Sequence, residues 1–373
     1  MNIEKNVQSP KPKQSIFVFA LNIIACIGVV VLHTTLPVYT PWDSLRWVEM
    51  VALQSISISA VPIFFMISGM NLLDYRDRYP TSIFFKKRLW KTGRAFLLGS
   101  IFCYLILSLF PHLFYGGERF EKNFGLIDFF KRFLTNDIND TYWFFYSIIY
   151  LYILTPIISH IVKDKRSLQY LITLLLCISV AVPFLERFGI NEIYFSVLFN
   201  WPLFTSVALL YFCIGYYIYR YVPLFKHQIL ISAMMLVLAT LSMFIFGLWS
   251  NGYHKISGLN THYDSYFVGI NSPFCVIQAI AVFLLFEALE ERFRRLSQRE
   301  IKTLRTISEA SLGVYLFHVL VIDWLGVNIP NQMIIMQLPF VRGVLVYSAT
   351  ALAVIVVKRF LSLAKRFLLR ARS

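Results

Sequence analysis

The stretch NIIACIGVVVLHTT, residues 22–35, forms most of the first apolar segment and carries two polar side chains, Asn22 and His33. On an α-helix, a separation of eleven residues is about 1100° of rotation, so both side chains share one face, about 16 Å apart. The residues between them on that face, Ala25, Cys26 and Val29, are small. Asn22 and His33 can line one cavity at two depths, in which case the small residues between them leave a narrow channel for a ligand. Alternatively, the small residues allow a second helix to pack closely on this face.

The composition is that of a membrane protein. Hydrophobic residues make up 58% of the chain and charged residues 15%, whereas soluble domains average about 45–50% and about 25%. Apolar segments of about 20 residues, enough to cross a bilayer, recur along the whole sequence. We therefore predict an all-α integral membrane protein, a bundle of about ten transmembrane helices at residues 15–35, 51–73, 94–111, 142–161, 168–185, 201–220, 228–249, 267–288, 308–326 and 338–358.

The basic residues predict the orientation of this bundle. If the N-terminus is cytoplasmic, most of the 35 Lys and Arg residues fall on the cytoplasmic side, as the positive-inside rule requires. Both termini are then cytoplasmic, with a tail at 1–14, a membrane domain at 15–360 and a basic tail at 361–373. This bias and anionic lipid headgroups account for the net charge of +15, so no nucleic-acid partner is predicted.

No metal site is predicted. The five cysteines all lie in predicted spans without a paired spacing, which is typical of small packing residues. His254 and His262, in a polar and aromatic loop, lack the spacing of metal ligands. In another loop, FGLIDFFKRFLT (124–135) places apolar side chains on one helical face and charged side chains on the other. This pattern predicts a helix lying in the membrane interface, as an anchor or as a lid over a site.

A cationic cluster, FFKKRLWKTGR (84–94), begins the third predicted helix. Lys87, Lys91 and Arg94 follow an i, i+4, i+7 pattern, flanked by Lys86 and Arg88. Such a face suits a phosphorylated cytosolic ligand, although basic residues at this end also follow from the positive-inside rule alone.

Further polar and aromatic side chains lie in later spans. In SEASLGVYLFHVLVIDW (308–324), Ser311, Tyr315 and His318 share one helical face, which indicates a wet cavity rather than a single interhelical hydrogen bond. The segment YWFFYSIIYLYILTP (142–156) brings Trp143 and Tyr146 to the predicted outer interface, where aromatic belts are expected in any case.

Taken in order, several segments resemble one family. ACIGVVVLHTT, VPIFFMISGMNLL (61–73), the basic start of the third helix, YWFFYSIIYLYILTPII (142–158) and SLGVYLFHVLVID (311–323) are similar to segments of the membrane-bound acyltransferase family 3. This family contains bacterial O-acetyltransferases of surface glycans, and the resemblance covers residues 15 to 360. Within this family the segments resemble those of the O-acetyltransferases that act on enterobacterial common antigen.

The resemblance also implies roles for individual residues. The family pattern in the first helix is an Arg, ten residues and a His, often with an acidic residue three before the Arg. His33 matches the histidine, whereas Asn22 stands in place of the Arg and Phe19 in place of the acid. A cation of the third helix, Arg88 or Arg94, is then expected to substitute for the missing guanidinium.

A transfer reaction follows from this likeness. Acyl-CoA, most often acetyl-CoA, is the expected co-substrate, with no permanently bound cofactor; its phosphates meet Arg88, Lys87, Lys91 and Arg94. His33, with Asn22, forms the catalytic pair and acts as general base or as acyl carrier. The acceptor is a surface or lipid-linked glycan, and the multi-pass chain resides in the bacterial inner membrane. The expected substrate cavity contains Ser68, Trp143, Tyr146, Tyr315 and His318.

Two other functions fit the same residues. An exporter of polysaccharide or glycolipid uses a wet, aromatic-lined cavity without an acyl donor, although the sequence shows no matching halves of the kind that transporters often have. A catalytically inactive membrane scaffold is the third possibility, because Asn22 replaces the family Arg.

Overall fold

The computed structural model describes residues 15–121, 124–188, 206–253 and 258–370, and side chains as far as residue 364. All regular secondary structure in these ranges is helical. The helices are α1 (Phe17–Thr34), α2 (Leu45–Ser57), α3 (Ala60–Leu72), α4 (Thr81–Leu109), α5 (Leu126–Leu134), α6 (Trp143–Ile161), α7 (Lys165–Glu186), α8 (Val207–Tyr221), α9 (Gln228–Ser250), α10 (Pro273–Ala288), α11 (Glu290–Arg294), α12 (Gln298–Asn328), α13 (Ile334–Gln337) and α14 (Pro339–Arg370).

The prediction of an all-α integral membrane protein is confirmed. Eight helical segments in the described ranges are long and apolar enough to cross a bilayer. The other two predicted spans, 201–220 and 267–288, correspond to the shorter helices α8 and α10. Residues 201–205 of the first of these spans lie outside the described part of the chain. The count of ten and the cytoplasmic location of the termini stay predictions. At the predicted boundary between residues 360 and 361, α14 continues as one helix.

The first helix lies at the centre of the bundle. It packs against α3, α12 and α14, and also touches α2 and α10. Its N-terminal end is capped by Glu290, whose carboxylate accepts the backbone N–H groups of Ile16 at 2.9 Å and Phe17 at 2.8 Å. This contact satisfies two of the free donors that every helix start leaves, and it places a negative charge at the positive end of the helix dipole.

The predicted span 51–73 lies in one membrane-crossing segment, Leu45–Asp77, in which α2 and α3 follow each other after a short interruption. The first begins earlier than predicted, at Leu45, and the chain leaves the regular α-helical path between Ser57 and Ala60. Pro62 is the physical reason, because it has no N–H to donate to the carbonyl of Ile58 and its ring crowds that carbonyl. The break directs α3, which carries Ser68, along the side of α1.

Glycines bring α3 and α8 into close contact. A Cβ added at Gly69 would lie 1.8 Å from the carbonyl oxygen of Phe212, and one added at Gly215 would lie 2.2 Å from that of Met66. Without side chains at these positions the two backbones approach each other directly, as small residues allow in membrane helix pairs.

The predicted amphipathic helix of the long loop is confirmed as α5. Most of its apolar side chains are exposed, among them Leu126 at 78% and Ile127 at 88%, whereas Phe129 is buried in the core and the polar side chains are tied to the bundle. Asp128 accepts a hydrogen bond from Tyr104 at 2.9 Å and pairs with Arg132 at 2.9 Å. Its location in the membrane interface stays a prediction.

Candidate active site

Two cavities lie beside α1, one near His33 and one near Asn22. The His33 cavity, of about 490 Å³, is lined by apolar residues of α4 and α12 and by His33, Arg119, Asn139, Asp140, Trp143 and Asp323. The Asn22 cavity, of about 330 Å³, is lined by apolar residues of α3 and α6 and by Asn22, Ser68, Arg88, Thr92, Tyr152, Ser308, Glu309, Ser311 and Tyr315. The single cavity that the helical spacing suggested is therefore two cavities in the structure.

The last turn of α1, which presents His33, is held by side chains from two other helices. Gln54 donates to the carbonyl of Leu32 at 3.0 Å and to the Thr35 hydroxyl at 2.8 Å, and Arg342 donates to the carbonyl of Thr34. The Leu32 carbonyl also accepts the backbone N–H and the hydroxyl of Thr35, so the helix end is held from several sides. The Arg342 cation stabilises the negative end of the helix dipole. The backbone on either side of His33 is thus fixed.

The closest aromatic neighbour of His33 is a second histidine. The ring centroids of His33 and His318 are 5.1 Å apart, at an interplanar angle of 47°. His318 is fully buried, and its Nδ1 lies 3.0 Å from the carbonyl oxygen of Val314 and 2.9 Å from that of Tyr315. The structure places His318, which was predicted to line the substrate cavity, directly behind His33. In the described part of the chain His318 is not among the residues that line either cavity.

The rim of the His33 cavity is polar and charged. Arg119, Asn139 and Asp140 come from segments between helices, whereas Asp323 comes from α12. Trp143 adds an aromatic ring to the same wall. Arg119 also lies 3.6 Å from Asp137, which anchors its segment. The wall of this cavity therefore combines hydrogen-bonding groups of both charges with an indole ring.

Asn22 is hydrogen bonded to α12. Its side-chain NH₂ donates to the backbone carbonyl of Ser308 at 2.9 Å, to the Ser308 hydroxyl at 2.8 Å and to the Ser311 hydroxyl at 3.2 Å. An amide has only two such protons, so its donor capacity is fully used by these three oxygens. The amide therefore joins two helices at the wall of the cavity.

One layer of side chains separates the two cavities. Tyr315 lines the Asn22 cavity, while Val319, one helical turn further along α12, lines the His33 cavity. The Tyr315 ring packs on Phe144 with centroids 4.7 Å apart, and its hydroxyl donates to the carbonyl of Thr141 at 3.2 Å. A helical turn rises about 5.4 Å, so the wall is about one aromatic ring thick.

The cationic cluster contributes one residue to these cavities. Arg88 lines the Asn22 cavity, whereas in the described part of the chain Lys87, Lys91 and Arg94 lie outside both. Lys87 lies over the Tyr79 ring at 4.7 Å. The π-helical turn Lys86–Trp90 interrupts the α-helical period, so the predicted i, i+4, i+7 face is not a single face in the structure.

A third cavity, of about 360 Å³, adjoins the Asn22 cavity at Glu309 and adds Lys358 and Arg359 from α14. Glu309 lines both cavities and pairs with Arg305 at 2.8 Å. Of the predicted cavity residues, Ser68 and Tyr315 line the Asn22 cavity and Trp143 lines the His33 cavity. Tyr146 instead packs on Phe96 at 5.1 Å, and its hydroxyl donates to the carbonyl of Phe133.

No group of three or more His, Cys, Asp or Glu side chains with metal-ligating geometry occurs in the described ranges; His254 lies outside them. Fold and site together define an all-α membrane protein with a histidine in a polar cavity and a cation-bearing cavity behind it. The chain belongs to acyltransferase family 3: the model of that acyltransferase domain matches residues 19–359. Neither a curated protein nor a solved structure matches the chain.

Proposed function

We propose that the protein transfers an acyl group, acetyl in the simplest case, from cytosolic acyl-CoA to a hydroxyl of a surface or lipid-linked glycan at the bacterial inner membrane. Family membership supports acyl transfer. The observation that carries the rest is the pair of cavities: a polar one containing His33, and a cation-bearing one containing Arg88, separated by one layer of side chains.

The donor occupies the Asn22 cavity. Its phosphates bind at the cation-bearing end, where Arg88 lines the Asn22 cavity and Lys358 and Arg359 line the adjoining one. Guanidinium and ammonium groups pair well with phosphate. The pantetheine arm follows the apolar wall formed by α3 and α6, and the acyl end points towards Tyr315. Arg88 supplies the positive charge that the amide of Asn22 lacks.

The acceptor occupies the His33 cavity. A neutral imidazole removes a proton from a hydroxyl near physiological pH, which makes His33 the general base. The acceptor oxygen forms a bond to the acyl carbon, the carbon–sulfur bond breaks, and the proton carried by His33 passes to the departing thiolate. The products are an ester and free CoA. The acyl end reaches this oxygen by displacing the Tyr315 ring from the wall.

The rim of the His33 cavity supports a glycan acceptor. Arg119, Asp140 and Asp323 supply donors and acceptors for sugar hydroxyls, and Trp143 supplies an apolar surface for a sugar ring. The resemblance to O-acetyltransferases of enterobacterial common antigen makes a lipid-linked form of that polysaccharide the first acceptor to test.

The direct test is transfer of radiolabel from acetyl-CoA to a lipid-linked glycan by the purified protein in lipid nanodiscs. We expect His33→Ala to abolish transfer with unchanged expression and gel-filtration profile. The matched control is His112→Ala, because the His112 side chain is 85% exposed. Full activity of His33→Ala would refute the assigned base, and acetylated His33 trapped in the absence of glycan would identify it as an acyl carrier instead.

The exporter alternative makes the opposite prediction. An exporter moves glycan across a vesicle membrane without acyl-CoA, and the transported glycan is chemically unchanged. Donor binding separates the two: we expect saturable binding of acetyl-CoA, weakened by Arg88→Ala but not by Arg166→Ala, which changes an exposed cation on α7. A folded protein without affinity for any CoA species would favour the exporter or an inactive scaffold.

A further inference from the structure

His318 is fully buried, and its two ring nitrogens have different hydrogen-bonding surroundings. Nδ1 faces two backbone carbonyl oxygens of its own helix, at 3.0 Å and 2.9 Å. A carbonyl oxygen only accepts hydrogen bonds, so Nδ1 carries the proton. The neutral ring then has a bare lone pair on Nε2, and this buried atom has no hydrogen-bond partner in the described part of the chain.

A buried hydrogen-bond acceptor without a partner costs free energy. Such atoms are rare in native proteins, and a catalytic role is one of the reasons for which they are retained. The neighbour available to Nε2 is the imidazole of His33, whose centroid lies 5.1 Å away. His33 is half-buried and borders the cavity, so its ring has room to turn. Hydrogen bonds among catalytic groups are often long before substrate binds and shorten in the reactive complex.

We propose that His318 is a positioning residue for His33: its Nε2 accepts the ring N–H of His33, so that the other, unprotonated nitrogen of His33 faces the acceptor hydroxyl. This inference rests on the proposed function, since it assigns how the base of that reaction is oriented. It follows the general arrangement of a base held in one tautomer by a third group. Here the third group is a neutral imidazole whose own tautomer is fixed by the backbone.

The arrangement has a consequence for the reaction. When His33 takes the hydroxyl proton it becomes an imidazolium with two N–H groups. One faces the cavity and later returns its proton to the thiolate, and the other remains hydrogen bonded to Nε2 of His318. The positive charge is thereby stabilised without a carboxylate. Asp323 and Asp140 border the same cavity, and their carboxylates are the competing candidates for the group that accepts this N–H.

The first readout is the tautomer of His33, measured by ¹⁵N NMR on protein with labelled histidines in nanodiscs. The chain has seven histidines, and the signals absent from His33→Ala identify His33. We expect a single tautomer in the wild type, a mixture in His318→Leu, and a single tautomer again in His318→Gln, whose amide oxygen accepts in place of Nε2. A mixture in the wild type, or a mixture caused by Asp323→Asn and not by His318→Leu, would overturn the proposal.

The second readout is kinetic. General-base catalysis contributes about 10²–10⁴-fold, and we expect His318→Leu to lower kcat by about ten- to a hundredfold with KM unchanged, and His318→Gln to recover most of that loss. Equal activity of the Leu and Gln variants, whether both high or both low, would overturn the proposal. A role in packing alone gives no reason for the Gln variant to be more active than the Leu variant. The NMR readout needs no transfer reaction, so it decides the role of His318 even if the wild type transfers no acetyl group.

Discussion

Replacing Asn22 with alanine distinguishes a residue that joins two helices from one that binds the donor. The structure gives its NH₂ group three acceptors on α12, all within 3.2 Å. Arg88, by contrast, is exposed and borders the same cavity. We expect Asn22→Ala to lower stability with little change in the KM for acyl-CoA, and Arg88→Ala to raise that KM with little change in stability.

The size of the stability change follows from the contacts. Hydrogen bonds between membrane helices contribute about 0.6 kcal/mol on average and at most about 1.7 kcal/mol. Two amide protons are lost in Asn22→Ala, and the vacated volume adds a further cost, so we expect about 1–2 kcal/mol and a fall in apparent Tm of about 2–5 °C. Arg88→Ala changes an exposed side chain and is expected to cost less than about 0.5 kcal/mol.

The assay uses thiols that unfolding exposes. Cys26, Cys103, Cys213 and Cys275 are buried, whereas Cys177 is exposed. With Cys177 replaced by serine in every variant, a thiol-reactive fluorescent dye reports thermal unfolding. Ser311→Ala is the matched control, because it removes one acceptor of the Asn22 amide and leaves the other two. An unchanged Tm for Asn22→Ala together with a raised KM would refute this reasoning and would place the amide in the donor site.

Three further outcomes follow from the packing. Gly69→Ala places a methyl group 1.8 Å from the carbonyl oxygen of Phe212, so we expect loss of more than about 3 kcal/mol or failure to fold, visible as aggregation in gel filtration. Gln54→Ala removes the side chain that holds the last turn of α1 at Leu32 and Thr35, and we expect kcat to fall by about tenfold with the donor KM unchanged, since small misplacements of a base are costly. Tyr315→Phe removes only the hydrogen bond that holds the wall, and we expect transfer to continue; complete loss of transfer would show that the hydroxyl takes part in the chemistry.

The helical architecture could be predicted because it depends on local sequence. Apolar segments of about 20 residues specify membrane helices directly, and the amphipathic period of 124–135 specified α5. Pro62 predicts a kink in the span 51–73 of the kind that a membrane bundle can absorb, but the proline alone does not specify that the helix is interrupted between Ser57 and Ala60. No feature of the sequence predicts the π-helical turn at Lys86–Trp90, so its effect on the cationic face could not be foreseen.

The site was only partly predictable because it is assembled from residues far apart in the chain. His33 and Asn22 stand out as polar side chains in an apolar helix, and the period of α12 groups Tyr315 with His318. The amide of Asn22, however, contacts Ser308, which is 286 residues away, and no pattern in either helix specifies that contact. Arg119 and Asp140 lie in short 3₁₀-helices and Asn139 directly precedes the second of them; the positions of these short segments depend on the packing of α4, α6 and α12.

The neutral side chain at position 22 fits the surroundings that the structure gives it. The oxygens that receive its protons belong to two serines and a backbone carbonyl, and a guanidinium there would be a charge inside the bundle without a carboxylate of its own. Glu309 borders the same cavity, but it is paired with Arg305. Intramembrane charges are costly unless they are paired. An exposed cation, Arg88, supplies positive charge at the cavity wall without that cost, because water still reaches its side chain. Asn22 and the arginine on α4 therefore fit one arrangement, in which α1 and α12 are joined by neutral hydrogen bonds and, in the proposed function, the phosphates of the donor are bound from α4.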